Sequence, residues 1–291
     1  MSFDALYRVY FAARGFGARK LRRWPRMTRG IKRWLSVVPP DTQVWVQVQS
    51  GLSQGMWMRL RLPQEARLWR GEHELAVQDA ILAAVHAGAV VYDVGAHAGS
   101  LALGIARLVG PQGRVVAFEG DPRNVENLEE NGLRNRLGTS LQVVPSAVWS
   151  YSASDIPFRR GGDNRAHGGV ETGGQCPVLG SGDVIHVSAV TLDDFIANGG
   201  PAPQLVKIDV EGGEHEVLRG GSRLFSTRRP LIVAEVHHSH AAEQIGAWLK
   251  EYRYGASWTI PSESFPRCLL AWPEEEDGAD WMRRSNNGVR N

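Results

Sequence analysis

Two groups of residues in this chain have the types and spacing to do chemistry. The first is Asp93-Val94-Gly95-Ala96-His97-Ala98-Gly99, an acid ending an apolar run and followed by a turn, with a second acid, Glu119, 20 positions beyond Gly99. Glycines at 95 and 99 permit a tight turn and close approach of the backbone to a ligand, and a helix starting at Ser100 would aim its unpaired N–H groups the same way. The second group is Asp209, Glu211, Glu235 and His237, carboxylates and an imidazole suited to orienting hydroxyls or moving a proton near neutral pH.

The loop chemistry separates two ligand classes. A dinucleotide brings a pyrophosphate and favours G-x-G-x-x-G with no nearby anion, whereas here His97 stands at the second glycine's place and Asp93 would repel a phosphate. S-adenosylmethionine has no phosphate and carries an ammonium group and a sulfonium that a carboxylate would welcome. Glu119, at the end of the next strand-like run, can accept hydrogen bonds from both ribose hydroxyls. These acids, in this order, point to S-adenosylmethionine, with His97 read as loop filler beside it.

Methyl transfer is an in-line displacement. Holding the reactants in line is worth about 7–11 kcal/mol, against roughly 10²–10⁴-fold for a general base, so cofactor and acceptor pockets are required and the base is a refinement. His237 is the expected base, with Asp209 or Glu235 orienting it or binding other acceptor hydroxyls. Glu211 and Glu214 could equally cap the helix that follows them, and His237-His238-Ser239-His240 could be a surface loop. Asp209, Glu211 and Glu235 could serve a hard cation, and His237 or His240 a softer one. Their spacing matches no recognised ligand set, and no metal is expected.

These residues need a scaffold, and the pattern supplies one. Alternation at Val44, Val46 and Val48, then at Met58, Leu60 and Leu62, predicts a hairpin across Gly51–Gly55, and Glu74 to His86 reads as a helix with a stripe of Leu75, Ile81, Leu82 and Val85. Buried strands are expected at 89–94, 113–119, 141–144, 204–210 and 230–236. Helices are expected from Ser100, from Asp121-Pro122 to Leu133, from Thr191, at 214–219 and at 241–252. An antiparallel pair at 257–260 and 268–272 closes the pattern. Between Tyr151 and Val187 glycines crowd and the period is lost, as in a long irregular excursion. Strand–helix alternation of this kind predicts an open α/β sheet with helices on both faces and a ligand crevice at the strands' carboxyl ends.

Composition limits the partners. A chain of 291 residues with 43% hydrophobic and 22% charged residues can build a sizeable core, and with a net charge of +2 only its basic head points to nucleic acid, which is not the expected substrate. Arg8 to Arg33 is nonetheless basic without an acid, an arm suited to weak contact with an acidic membrane surface. No apolar run is long enough for a membrane span, Arg8 and Arg14 interrupt any signal-like core, and Cys176 and Cys268 build no disulfide framework, so a cytoplasmic setting is expected. The expected organisation is a basic arm at 1–40, a β-hairpin extension at 41–72, the cofactor domain at 73–273 with a Gly-rich insert at 151–187, and a polar tail at 274–291.

Several stretches together resemble the FkbM family of S-adenosylmethionine-dependent methyltransferases: Asp93 to Gly99, Val116 to Pro122, Thr191-Leu192-Asp193-Asp194, Val206 to Gly220, and Glu235-Val236-His237. Gly71-Glu72-His73-Glu74 is similar to the Gly-x-x-Glu before that family's first core helix; His97 stands where an Asn is usual, and Gly120 where a Pro is usual. The resemblance implies a Rossmann-like class I methyltransferase fold with a mostly parallel seven-stranded sheet. It also implies O-methylation of a sugar, glycan or other small-molecule hydroxyl. The expected cofactor set is Glu74, Asp93, Gly95, Ala96, His97 and Gly99 on one side, and Glu119, Gly120, Ser146, Ala147 and Asp209 on the other. The alternative is a non-catalytic protein that keeps the cofactor fold and docks on a membrane or partner through its basic arm.

Overall fold

The computed structural model describes residues 43–62, 64–161, 168–170, 182–258 and 265–276. The basic arm, Cys176, Asn164 and His167 lie outside the described residues.

In chain order, the hairpin strands β1 (Gln43–Gln47) and β2 (Trp57–Arg61) lead to helices α1 (Ala66–Arg70) and α2 (Leu75–Ala84). There follow β3 (Val90–Val94), α3 (Ala102–Val109), β4 (Arg114–Phe118), α4 (Pro122–Arg134) and β5 (Leu141–Val144). Next come β6 (Ala147–Val148), β7 (Ala153–Arg159), β8 (Gly169–Val170), β9 (Val184–Val190), α5 (Leu192–Ala197) and β10 (Leu205–Ile208). The chain closes with α6 (Glu214–Gly220), α7 (Ser222–Thr227), β11 (Leu231–Val236), α8 (Ser239–Glu251), β12 (Tyr254–Trp258) and β13 (Arg267–Pro273).

Seven strands form the main sheet in the order β12-β13-β11-β10-β3-β4-β5. The five from β11 to β5 are parallel, and β13 joins β11 and β12 antiparallel. This is the Rossmann-like class I methyltransferase architecture. The chain runs outward from β3 through β4 to β5, then returns to lay β10 on the other side of β3. The switch in direction opens a crevice above the carboxyl ends of β10, β3 and β4. Because β3 is covered on both faces, successive side chains feed different cores. Tyr92 and Val94 pack with α5, α6 and α8, while Val91 packs with α2 and α3.

Sequence signals fix the helix starts where a side chain can reach back. Asp121 accepts from the N–H of Arg123 and Thr191 from that of Asp194, so α4 and α5 begin where expected. Ser100 does not cap α3. Leu101 stands at that helix's N-cap without a side-chain bond, and Ser100 lines the crevice instead. In α2 the buried stripe is Val77, Ala80 and Ile81 rather than one including Leu75 and Leu82, which are more than half exposed. The buried Gln78 sets that rotation, accepting from Leu52 N and donating to the carbonyls of Gly71 and His73.

Where it is described, the excursion after Tyr151 is also more regular than its glycines imply. β7 and β9 pair antiparallel and join β6 and β8 in a second, four-stranded sheet that buries Ile156, Phe158, Val170 and Val187. The helix expected to stop at Gly220-Gly221 is followed at once by α7, with Gly221 as the N-cap. Among the described residues no helix is long and apolar enough to cross a membrane.

The hairpin is stitched to the main domain by asparagines spaced four apart on α4. Asn135 exchanges two hydrogen bonds with the backbone of Trp57. Asn131 accepts from Arg59 N at 2.8 Å and donates to Ala98 O at 2.9 Å, and Asn127 donates to Arg59 O. Asn131 is fully buried. Replacing it with leucine strands two buried backbone groups, and urea denaturation is expected to show a loss of about 2–3 kcal/mol.

Candidate active site

The crevice is a cavity of about 920 Å³, enough for a nucleoside cofactor with an acceptor beside it. Every expected site residue except Gly99 lines it. Gly99 serves packing, since a Cβ there would meet Leu128 Cδ1 at 2.3 Å, and its absence lets α4 approach the loop. Trp57 and Trp69 do not line the cavity. Trp57 packs beneath the Arg134 guanidinium and Trp69 lies in the hairpin core. Trp149 and Phe158 contribute the aromatic wall instead.

On the β4 side, Glu119 is buried and fixed by the backbone. Its Oε2 accepts from His97 N and its Oε1 from Asp121 N, both at 2.8 Å. Burial raises its pKa to about 7, against the pull of those two N–H groups. Gly120 keeps this wall thin, since a Cβ there would press on Phe158. His97 adopts a positive φ of 50° and its Nε2 is buried without a hydrogen-bond partner. Burial lowers its pKa to about 4, so the ring is neutral. Gly95 has φ 77°, and a Cβ on it would lie 1.8 Å from the carbonyl oxygen of Asp209.

On the β10 and β11 side the site is acidic, with a cation that sequence reasoning passed over. Lys207, only 3% exposed, places its Nζ 3.2 Å from Asp93 Oδ1, 3.6 Å from Asp209 Oδ2 and 3.2 Å from the carbonyl of Gly95. A lysine inside the apolar run Leu205 to Ile208 was the available signal, because a buried charge requires a partner. Burial opposes the charge of Lys207, but Asp93, Glu74 and Asp209 outweigh it and raise its pKa. Asp93, expected to face a cofactor cation directly, is 1% exposed and faces Lys207.

Glu74 holds φ 48° at the start of α2 and pairs with His73. Burial would raise its pKa, but Lys207, His73 and His237 bring it to about 2. Glu235 is driven the other way, to about 7, by burial and by repulsion from Asp209 and Glu74.

His237 is enclosed by carboxylates. Its Nδ1 meets Glu214 Oε1 at 2.6 Å, and its Nε2 lies 3.4 Å from Asp209 Oδ1 and 3.3 Å from Glu211 Oε2. Burial disfavours its charge, yet the bond to Glu214 and the fields of Asp209 and Glu211 raise its pKa to about 10. The imidazole is therefore held protonated near neutral pH and, in this arrangement, lacks the lone pair a base needs. Glu214 turns its Oε1 to Gly212 N and His237 while Gly213 takes the N-cap of α6, and Glu211 joins the same cluster. His240 lies within α8, whose N-cap is His238.

A domain model described as the methyltransferase FkbM domain matches residues 93–255, more than half of the chain. The chain belongs to the FkbM methyltransferase family. It is an enzyme family that transfers methyl groups, and the matched region contains Asp93, Glu119, Lys207, Asp209 and His237. A hexuronic acid methyltransferase, AglP, from Haloferax volcanii is 26% identical over 210 residues, covering 70% of this chain and 81% of that protein. Among solved structures, an FkbM methyltransferase from Methylobacillus flagellatus aligns with 63% of this chain at 18% identity and a TM-score of 0.47. This chain spans only 43% of that structure's length. An O-methyltransferase from Bacillus cereus in complex with SAH aligns with 68% of this chain and 80% of its own at 14% identity, with a TM-score of 0.42.

Proposed function

We propose that this FkbM-family protein uses S-adenosylmethionine to methylate a hydroxyl of a sugar or glycan. The observation that carries the cofactor assignment is Glu119, a buried carboxylate at the end of β4. Its Oε1 accepts from Asp121 N and from the Asn124 amide, while its Oε2 accepts from His97 N and keeps a lone pair for a ribose hydroxyl. The bare backbone at Gly95 and the thin wall at Gly120 leave room for a nucleoside to lie close against the loop. The Haloferax relative, named for a hexuronic acid acceptor, supports a sugar as substrate class, and the acidic rim offers acceptors for several sugar hydroxyls.

When bound, S-adenosylmethionine supplies an electrophilic methyl group on its sulfonium. The chain's residues then have three tasks. Glu119 and the Gly95 loop hold the nucleoside. Lys207 keeps Asp93 and the loop carbonyl in place. Glu235, with a pKa of about 7, takes over the role expected of His237 and accepts the acceptor hydroxyl's proton as the new oxygen–carbon bond forms. The leaving electron pair would stay on the cofactor's sulfur. Incubation with S-adenosylmethionine and a panel of hexoses and hexuronic acids, read by mass spectrometry, is expected to give singly methylated sugars. Methylation confined to acceptors without a sugar ring would refute the substrate class.

The same assignment carries a pH dependence. Ionised Glu119 can accept from the ribose, whereas the protonated acid loses an acceptor position. S-adenosylhomocysteine affinity should therefore fall as pH drops through about 7, approaching tenfold per unit below it. Titrations at pH 6, 7 and 8 check this, and Glu119→Gln should flatten the profile. A flat wild-type profile would remove Glu119 from the ribose.

A further inference from the structure

We propose that Asp209, Glu211 and His237 form a binding site for one divalent transition-metal ion of the manganese or zinc class, on the acceptor side of the cavity. These three residues present one ligand atom each, all within 4.8 Å of one another. The inference revises the expectation of a metal-free site, and it rests on reading this cavity as the methyl-transfer site.

Three features of the geometry carry it. First, Glu214, fully buried, grips Nδ1 of His237 at 2.6 Å and so directs Nε2 toward Asp209 and Glu211. A carboxylate behind an imidazole whose other nitrogen faces acidic oxygens is the usual support of a metal-ligating histidine, fixing both tautomer and ring orientation. Second, Nε2 stands 3.4 and 3.3 Å from its two oxygens. Bonds of about 2.1–2.2 Å place neighbouring ligand atoms about 3.0–3.6 Å apart, from octahedral manganese to tetrahedral zinc, so an ion of either kind fits among these atoms with little movement. Third, Asp209 divides its oxygens, Oδ2 facing Lys207 and Oδ1 facing His237, and Oδ1 is buried without a hydrogen-bond partner.

The adjoining wall adds an independent sign. The Glu74 side chain is only 4% exposed and its Oε2 has no hydrogen-bond partner, although Glu74 lies in a second cluster with Asp209 and Glu235. Glu74, Asp93, Asp209, Glu211 and Glu235 line the cavity and Glu214 backs His237, with Lys207, His73 and His237 as the basic side chains paired with them. A dication would offset that excess, and its affinity would depend on displacing the Nε2 proton. One imidazole with carboxylates suits manganese or zinc better than calcium or magnesium, whose ligands are oxygens throughout. Three protein ligands leave a position open, to which an acceptor hydroxyl could bind and be polarised.

The test uses the full chain stripped with a chelator and dialysed. Titration with MnCl₂ alone, followed by calorimetry and by the loss of free Mn²⁺ signal in paramagnetic resonance, is expected to show one saturable site. Occupancy should raise the melting temperature, and EDTA should reverse the rise. Asp209→Asn and His237→Gln should each weaken Mn²⁺ binding at least tenfold. An unchanged far-ultraviolet circular dichroism spectrum and cooperative thermal unfolding show that the variants are folded, and if either fails to fold, Glu211→Gln is expected to give the same weakening. Wild-type protein that binds Mn²⁺ no more tightly than a folded variant, or gains no thermal stability from it, overturns the proposal. Binding of S-adenosylhomocysteine to the metal-free wild type is read separately: its presence without Mn²⁺ binding sinks only the ion site, and its absence sinks the cofactor reading.

Discussion

Gly95→Ala is expected to destabilise the protein by more than about 4 kcal/mol and to abolish S-adenosylhomocysteine binding by whatever folded fraction remains. The residue sits at φ 77°, where an L-residue pays roughly 1–2 kcal/mol, and the added Cβ would lie 1.8 Å from the Asp209 carbonyl oxygen. That oxygen is not on a yielding side chain. It belongs to backbone pinned by the Asp209 N to Val94 O hydrogen bond, so relief requires parting β3 from β10 just where the cofactor loop begins. Gly88→Ala separates the two costs, because Gly88 has a similar φ of 84° and nothing within 4 Å of its would-be Cβ. Urea unfolding should show that substitution costing only the torsional 1–2 kcal/mol. Equal losses at the two positions would mean that the loop yields more readily than its packing indicates.

Lys207→Met is the second large effect. It fills nearly the same volume but leaves Asp93, 1% exposed, and Asp209 without the cation between them, and removing one partner of a buried pair costs about 3–5 kcal/mol. The pH dependence has a definite sign. Burial already raises the pKa of Asp93 above its unfolded value, with Lys207 the chief opposing influence. The native state therefore binds more protons than the unfolded state between the two values, and stability falls as pH rises through that window. Removing Lys207 pushes the upper edge of the window higher. The deficit of the variant relative to wild type, measured by thermal denaturation, should then be smaller at pH 5 than at pH 8. A deficit independent of pH would show that the loss is one of packing rather than of charge.

What was legible in the sequence was what depends on near neighbours. The run from Ala89 to Val94 and its glycine turn specify a buried strand and loop, Asp121-Pro122 and Thr191 announce their helices, and the pairing of the last two strands follows from their closeness. β7 was hidden because its burial falls on Ile156 and Phe158 alone, between polar residues and a proline, and glycines surround it. The break at Gly220-Gly221 looked like an ending because a glycine can stop one helix and begin the next. Among the site residues, Glu119 and the Asp93 loop could be named from their spacing, but the state of His237 could not. Its surroundings come from Glu214, 23 positions away in sequence, and from Asp209 and Glu211 on the neighbouring strand's exit. The residue types suggested a base, and the field of three carboxylates makes the same ring a cation or a ligand.

If this crevice holds S-adenosylmethionine against Glu119, a calorimetric titration of the folded full chain with S-adenosylhomocysteine reports it directly. Saturable binding of one molecule per chain, weakened at least tenfold in Glu119→Ala, is predicted. A folded wild-type protein that takes up none, or a Glu119→Ala variant that binds as well as wild type, would contradict it.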